Sequence, residues 1–288
     1  MGTLAVVLVL VSAFFHAGWN VLAKRASDPL AFMFAFNLVS IVLFAIPAAV
    51  VYTRHPIPAE GLPYLLATGC VHVVYFSALA AAYSNGALSL AYPVSRGTSV
   101  LLVPLLAVPL LGERPTVVAV LGIACILAGL LTVGVLGAGR RVSTEITTGQ
   151  RGLFFALLTG LTIATYSLID KVGVSHIHPF IYVYGIFLLL TLGLAPYVLL
   201  KRRDRVLREW RYNRRAVLAG SILPMATYVI VLTAMRLSNV SYVVPLRETS
   251  IIFATLLGVL VLGERIGAAR IAGSALIAAG VIAIALGG

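Results

Sequence analysis

Apolar residues run along this chain in ten long stretches, at 3–23, 30–52, 61–83, 89–111, 116–136, 150–169, 179–200, 215–235, 241–262 and 267–287. Short polar connectors separate them. A hydrocarbon core about 30 Å thick takes roughly 20 apolar residues to cross as a helix. Each stretch therefore predicts a transmembrane helix, which satisfies its backbone polar groups internally. The stretches are too long and too uniform for membrane-barrel strands, which run to about 10 residues. Pro29, Pro63, Pro115 and Pro179 sit near predicted helix starts, where a missing N–H costs least. Gly112 and Gly263 mark predicted ends. The longest connectors, 137–149 and 201–214, are too short for a soluble domain. The first stretch has no basic leader and no clear cleavage site, so it is expected to remain as a helix.

The pattern is written twice. Arg96–Gly97–Thr98–Ser99 runs to Leu111–Gly112–Glu113–Arg114, and Arg247–Glu248–Thr249–Ser250 runs to Leu262–Gly263–Glu264–Arg265, each 151 residues later. Across 96–114 and 247–265, 10 of 19 positions are identical. Gly122 and Gly129 map onto Gly273 and Gly280, and the seven-residue spacing puts each pair on one helix face, suited to close packing. With an offset of 147, Trp19 maps onto Tyr166, Asn20 onto Ser167 and Lys24 onto Lys171. The repeat unit is five helices, divided as 1–138 and 139–288. Five is odd, so two copies that fold alike must face opposite ways across the bilayer. The expected fold is all-α, a polytopic membrane protein of ten helices in two five-helix inverted repeats. That is a transporter architecture, with its site between the halves near the midplane.

Composition narrows the class further. The chain is 61% hydrophobic and 10% charged, with a mean hydropathy of +1.06. Soluble domains average about 25% charged. A net charge of +12 would suggest nucleic acid in a soluble protein, but here the basic residues lie mainly in connectors. They read as topology signals, so the bilayer is the expected partner and nucleic acid is not. Odd-numbered connectors carry 15 Lys and Arg residues, 8 of them in 201–215; the even-numbered ones carry Arg54, Arg114, Lys171 and Arg236. By charge alone the basic side is cytoplasmic and both termini are outside. Cys70 and Cys125 lie in apolar stretches with neither metal spacing nor a disulfide pattern, so no metal and no cofactor is expected.

Two cations sit where lipid penalises them. Arg96 and Arg247 lie inside predicted spans, at a cost of roughly 2.5–3.5 kcal/mol each on insertion scales. They are either structural partners of Glu248 or nearby carbonyls, or substrate contacts. Glu248 adjoins Arg247, and helix neighbours do not face each other, so Glu248 could reach Arg96 instead. Polar stripes that could wall a central cavity run along several spans: His16, Trp19 and Asn20 in the first, His72, Tyr75 and Tyr83 in the third, Tyr92 and Ser99 in the fourth. Thr159, Thr162, Tyr166 and Asp170 form one in the sixth. The bland reading of Ser and Thr is a bond to their own helix. Tyr52, Tyr182 and Tyr197 read as interfacial anchors. Glu113, Arg114, Glu264 and Arg265, at helix ends, read as structural or gating groups solvated by snorkelling. The substrate-binding candidates are Arg96, Arg247, Glu248, His16, Trp19, Asn20, Tyr75, Tyr83, Tyr92, Ser99 and Tyr166. Two Arg against one Glu, beside imidazole and aromatics, favour a solute with a carboxylate, such as an amino acid.

The stretches Tyr92–Pro93–Val94–Ser95–Arg96–Gly97–Thr98–Ser99 and Val244–Pro245–Leu246–Arg247, each running into Leu-Gly-Glu-Arg, resemble the ten-helix EamA branch of the drug/metabolite transporter superfamily. The resemblance spans the chain. It implies a multi-pass secondary carrier of the bacterial inner membrane, often an exporter of amino acids, with YddG-type aromatic amino-acid exporters as the suggested relatives. It also implies termini in the cytoplasm, against the charge count. One departure is clear: many members carry Glu-Pro near the start of helices 4 and 9, where this chain has Arg96–Gly97 and Arg247–Glu248. The expected function is amino-acid export, aromatic or hydrophobic, by alternating access around a central cavity. Pro93, Pro104, Pro109, Pro224 and Pro245 are candidate flexing points, and Glu248 or His16 candidate proton carriers. A carrier of drugs or cationic amphiphiles is the alternative within the fold; it would want a dominant buried acid. A membrane enzyme is the alternative outside it, and no catalytic constellation supports that. Both halves lie in one chain, so a monomer suffices.

Overall fold

A computed structural model describes the chain apart from residues 25, 86–87, 137–149 and 263–266. Within helices, the side chains at 21, 23–24, 83–84, 88–90, 135–136, 258–259 and 261–262 also fall outside the description. The elements are α1 (Thr3–Lys24), α2 (Pro29–Arg54), α3 (Leu62–Asn85), α4 (Leu88–Leu111) and α5 (Val117–Leu131), which runs on as a π-turn over Thr132–Leu136. The second half holds α6 (Gln150–His176), α7 (Pro179–Lys201), α8 (Arg203–Tyr212), α9 (Arg214–Leu237), α10 (Val240–Leu246), α11 (Thr249–Leu262) and α12 (Ala268–Gly287). Ten spans are long and apolar enough to cross a bilayer, with α10 and α11 together forming the ninth. Large apolar side chains such as Ile46, Val117, Leu200 and Leu286 point outward, more than three-quarters exposed, as suits a lipid-facing surface.

The packing has a two-fold pattern. Helix α1 packs on α9 and α11, as its counterpart α6 packs on α3 and α4. Helix α2 meets its own counterpart α7, and α5 meets α12. The glycines reveal the sense of the symmetry. A Cβ on Gly122 would come within 2.7 Å of the Gly280 carbonyl, and one on Gly129 within 2.7 Å of the Gly273 carbonyl. The lower number on α5 pairs with the higher number on α12, so the two helices run antiparallel. Equivalent helices that cross antiparallel make the repeats inverted. The close approach is the kind that replaces a hydrophobic driving force between helices in lipid.

Local chemistry sets the ends. Asp28 caps α2 by accepting from the Ala31 N–H at 3.1 Å, with Pro29 in the first turn. Thr116 caps α5 through the Ala119 N–H at 3.2 Å. Gly112, with φ +67°, takes the left-handed turn after α4 that a side chain would strain.

Three expectations change. The ninth stretch is not one helix: α10 stops at Leu246, and Arg247 and Glu248 form a turn before α11. Pro245 has no N–H to donate back, and the bonds around it shorten to three-residue steps, Glu248 to Pro245 at 3.0 Å and Ser250 to Arg247 at 3.0 Å. In contrast α4 stays a single helix through Pro93, Pro104 and Pro109, so those prolines do not break it. The connector 201–214 is largely helical as α8, and the sixth span continues to His176 rather than 169.

Candidate functional site

The break in the ninth span turns two successive residues inward. Arg247 is 6% exposed and Glu248 is 0% exposed. On a continuous helix the two would diverge by about 100°. Arg96, in the middle of α4, is also buried and holds Glu248 at 3.4 Å. Its guanidinium lies 5.4 Å over the Tyr92 ring, a cation–π contact. Neither Glu248 oxygen has a hydrogen-bond partner of good geometry, and the buried Nε of Arg247 has none either. Across the repeat offset Glu248 corresponds to Gly97, which is partly exposed and where an added Cβ would meet nothing within 4 Å.

From α1, His16 closes the cluster. Its Nε2 stands 2.5 Å from an Arg96 Nη, and its Nδ1 lies 3.2 Å from Trp19 Nε1. Both neighbours are donors only, whereas a neutral imidazole has one acceptor nitrogen. Asn20 donates to the His16 carbonyl at 2.7 Å, and Ser99 donates to the Arg96 carbonyl at 2.9 Å, so both bond within their own helices. The centre thus carries two guanidinium groups against one carboxylate among the described residues.

Aromatic rings from three spans stand beside it. Tyr166 stacks on His72 with centroids 4.3 Å apart, and Tyr75 meets Tyr166 edge-on at 5.5 Å. Tyr228 from α9 meets His72 at 5.7 Å and Tyr166 at 6.3 Å. Tyr83 was a candidate as well, but its side chain lies outside the described residues, as do Glu264 and Arg265.

Beyond the rings lies a group given little weight in sequence. Asp170, 0% exposed, accepts from Thr68 Oγ at 2.6 Å, from the Tyr182 hydroxyl at 3.0 Å and from the Tyr228 hydroxyl. Tyr182 is therefore a fully buried donor and not an interfacial anchor, while Tyr52 and Tyr197 are half exposed. The reason is the length of α6, which carries Asp170 past the start of α7. Thr68, Tyr182 and Tyr228 gave no signal of their own; only the Thr159–Asp170 stripe pointed here.

One end of the bundle is tied by a second carboxylate. Glu113 is buried, not snorkelled. It accepts the Val240 N–H at 2.7 Å, the Ser241 N–H at 3.0 Å and the Ser241 hydroxyl. A short helix with free N–H groups is a ready anion site, and here the first half fills that of α10. Lys171 caps the neighbouring helix end by donating to the Met235 and Ser238 carbonyls at 2.5 and 2.8 Å.

On the basic side, α8 is tethered to the connector before α2. Glu209 accepts from the Ser27 N–H and hydroxyl, the Asp28 N–H and Asn213. Asp28 in turn binds Arg202 and Arg205 at 2.7 and 2.8 Å. Burial would raise both carboxyls, but the Arg205, Ala31 and Arg202 contacts outweigh it and hold Asp28 below its ordinary value. Likewise the Ser27, Asn213 and backbone bonds outweigh burial and hold Glu209 below its own.

Comparison with known proteins fits this frame. The model of the EamA-like transporter family matches twice, over residues 3–135 and 150–286, one match per half. Among curated proteins none matches the chain. A solved structure described as "Crystal structure of protein" is 19% identical, with a TM-score of 0.74 over 98% of this chain and 97% of that one. At that identity the likeness shows the fold. Two family matches over an inverted ten-span bundle identify the chain as a multi-pass membrane transporter of the EamA-like family, in the drug/metabolite transporter superfamily.

Proposed function

We propose that this transporter carries aromatic or hydrophobic amino acids, as an exporter in a bacterial inner membrane. The observation that carries the reading is the surplus of buried cation: Arg96 pairs with Glu248, while the buried Arg247 Nε has no partner, beside the Tyr75–Tyr166–His72 rings. A solute carboxylate would neutralise the second guanidinium in a planar fork. It would also accept from whichever of Trp19, His16 and Arg96 the imidazole leaves unpaired. Glu248 stands ready for the solute ammonium, and the rings for its side chain. Trp19, Asn20, Tyr92 and Ser99 would shape the walls. Halves 1–138 and 139–288 would rock about this site in alternating access, and one chain would suffice.

The test compares phenylalanine with phenethylamine, which lacks only the carboxylate. Purified protein is screened by thermal shift, then reconstituted for uptake of the radiolabelled compounds. Phenylalanine is expected to stabilise the protein and to be carried. Arg247→Ala should lose at least about tenfold in affinity, the loss of roughly one charge-assisted bond at 1.4 kcal/mol or more. Equal transport of phenethylamine, or an unaffected and folded Arg247→Ala, refutes the reading. Preference for phenethylamine would favour the cationic-amphiphile alternative.

A further inference from the structure

Among the described residues, four buried groups in the spans could carry a proton: Glu248, His16, Asp170 and His72, the last tied through Nδ1 to the Thr68 carbonyl of its own helix. Their surroundings separate them. Glu248 faces the Arg96 guanidinium at 3.4 Å, with Arg247 next to it in the chain, so it is already engaged as the ion-pair partner of a buried cation. His16 has that same guanidinium 2.5 Å from Nε2 and the Trp19 N–H at Nδ1, so both ring nitrogens already face donors. Asp170 is different. It is fully buried, and its partners are three neutral hydroxyls from three helices. No cation stands within ion-pair distance of it among the described residues. The adjacent Lys171 ammonium is committed to the Met235 and Ser238 carbonyls.

We propose that Asp170 is the proton-carrying group of this transporter, loaded from water at one membrane face and unloaded at the other in each cycle. In loading, one carboxylate oxygen forms an O–H bond with a proton from hydronium and leaves water; unloading reverses this. Isolated buried carboxylates are costly, and protonation is the ordinary way to remove the charge. The three hydroxyls offset that cost only while all three reach it. Thr68 belongs to the first half, on α3, and Tyr182 and Tyr228 to the second, on α7 and α9. A rocking of the halves that draws Thr68 away removes a donor and favours the protonated acid. The protonated acid in turn carries a donor of its own, so one hydroxyl must turn from donor to acceptor.

The other titratable and charged groups around Asp170 are few. They are His72 from α3, which points Nδ1 at the Thr68 carbonyl at 2.8 Å, and Tyr166 one turn earlier on α6. Arg247 at the α10–α11 break makes no ion pair with it, and Arg96 on α4 is engaged by His16 and Glu248. A recess wide enough for water lies near one end of its helix. Asp170 lies six residues, about 9 Å, from the end of α6 at His176. At that end a recess of about 550 Å³ is lined by Glu113, Arg114, Lys171 and Ser175. This is the side away from the basic connectors. Under the 147-residue offset Asp170 corresponds to Ala23, so one half alone supplies the carrier.

The experiment has two readouts, and the first rests on the amino-acid reading above. In proteoliposomes, a gradient of one pH unit should drive phenylalanine accumulation up to about tenfold for one proton per solute, at the one polarity that symport or antiport selects. Asp170→Asn should abolish that accumulation while keeping phenylalanine counterflow, because Asn, like the protonated acid, keeps one acceptor oxygen and sets a donor in place of the other, but takes no proton. Gradient-driven accumulation in Asp170→Asn, or none in the wild type with phenylalanine carried, overturns the proposal. The second readout needs no solute. Infrared difference spectra between about pH 5 and about pH 9 should show a carboxylic-acid C=O band that Asp170→Asn lacks, or that Asp170→Glu shifts if the Asn variant does not fold. A carboxyl at 170 that stays ionised across that range also overturns it. A titrating band without phenylalanine transport retains the proton carrier and refutes the amino-acid substrate instead.

Discussion

Arg96 stands 3.4 Å from Glu248, joining the fourth span of one half to the broken ninth span of the other. Both are buried, so removing either partner strands a charge, at a cost on the order of 3–5 kcal/mol. Arg96→Ala should lower the thermal midpoint in detergent markedly, and Arg96→Ala with Glu248→Gln should recover a large part of the loss. A double variant no more stable than the single would mean that the pair is not coupled.

The crossing of α5 and α12 should tolerate no side chain. Gly122→Val places a Cβ 2.7 Å from the Gly280 carbonyl, backbone that cannot step aside. Overpacking of this kind costs about 1–3 kcal/mol. Gly97→Ala is the control, since its Cβ meets nothing within 4 Å. There helix propensity predicts no loss, or a gain of up to about 1 kcal/mol. Thermal unfolding of both variants checks the contrast; equal effects would contradict the crossing.

Glu113 satisfies the first N–H groups of α10. Glu113→Ala should cost about 1–3 kcal/mol through the lost charge-assisted bonds. The loss should be local first. Hydrogen exchange at Val240 and Ser241 is expected to rise before that of α12, and unchanged protection there would show that another group caps the helix.

The tether of α8 should fail in acid. Asp28 and Glu209 are both held below their ordinary values, so they bind fewer protons folded than unfolded. Their contribution is full above the unfolded carboxylate range, about pH 4, and is lost as the pH falls through the folded values. In a Trp19→Phe protein, Trp210 on α8 is the remaining tryptophan. Its emission should shift as the pH drops from about 5 to about 3. A flat response would exclude these carboxyls as the anchor.

The ten spans, the duplication and the inversion were all legible in the chain, because hydropathy over 20 residues and the parity of a repeat need no tertiary information. The Arg96 and Arg247 positions were legible for the same reason: a cation within an apolar stretch is costly wherever it points. The proline break was not. Four prolines at interior positions of α4 and α10 look alike in sequence, yet α4 continues through Pro93, Pro104 and Pro109 while the ninth span stops after Pro245.

Asp170 shows the limit most plainly. Its stripe on α6 was visible, but its donors come from α3, α7 and α9, more than 100 residues away in the case of Thr68 and 58 in the case of Tyr228. A tyrosine three residues into a span reads as an interfacial anchor until the neighbouring helix proves long enough to bury it, as α6 does for Tyr182. Sequence by itself determined the class, the spans and the pseudo-symmetry, since these follow from local burial in lipid and from counting. Only the tertiary structure decided which carboxylate meets which cation and which meets hydroxyls alone, because those pairings depend on where helices cross and how far each one runs.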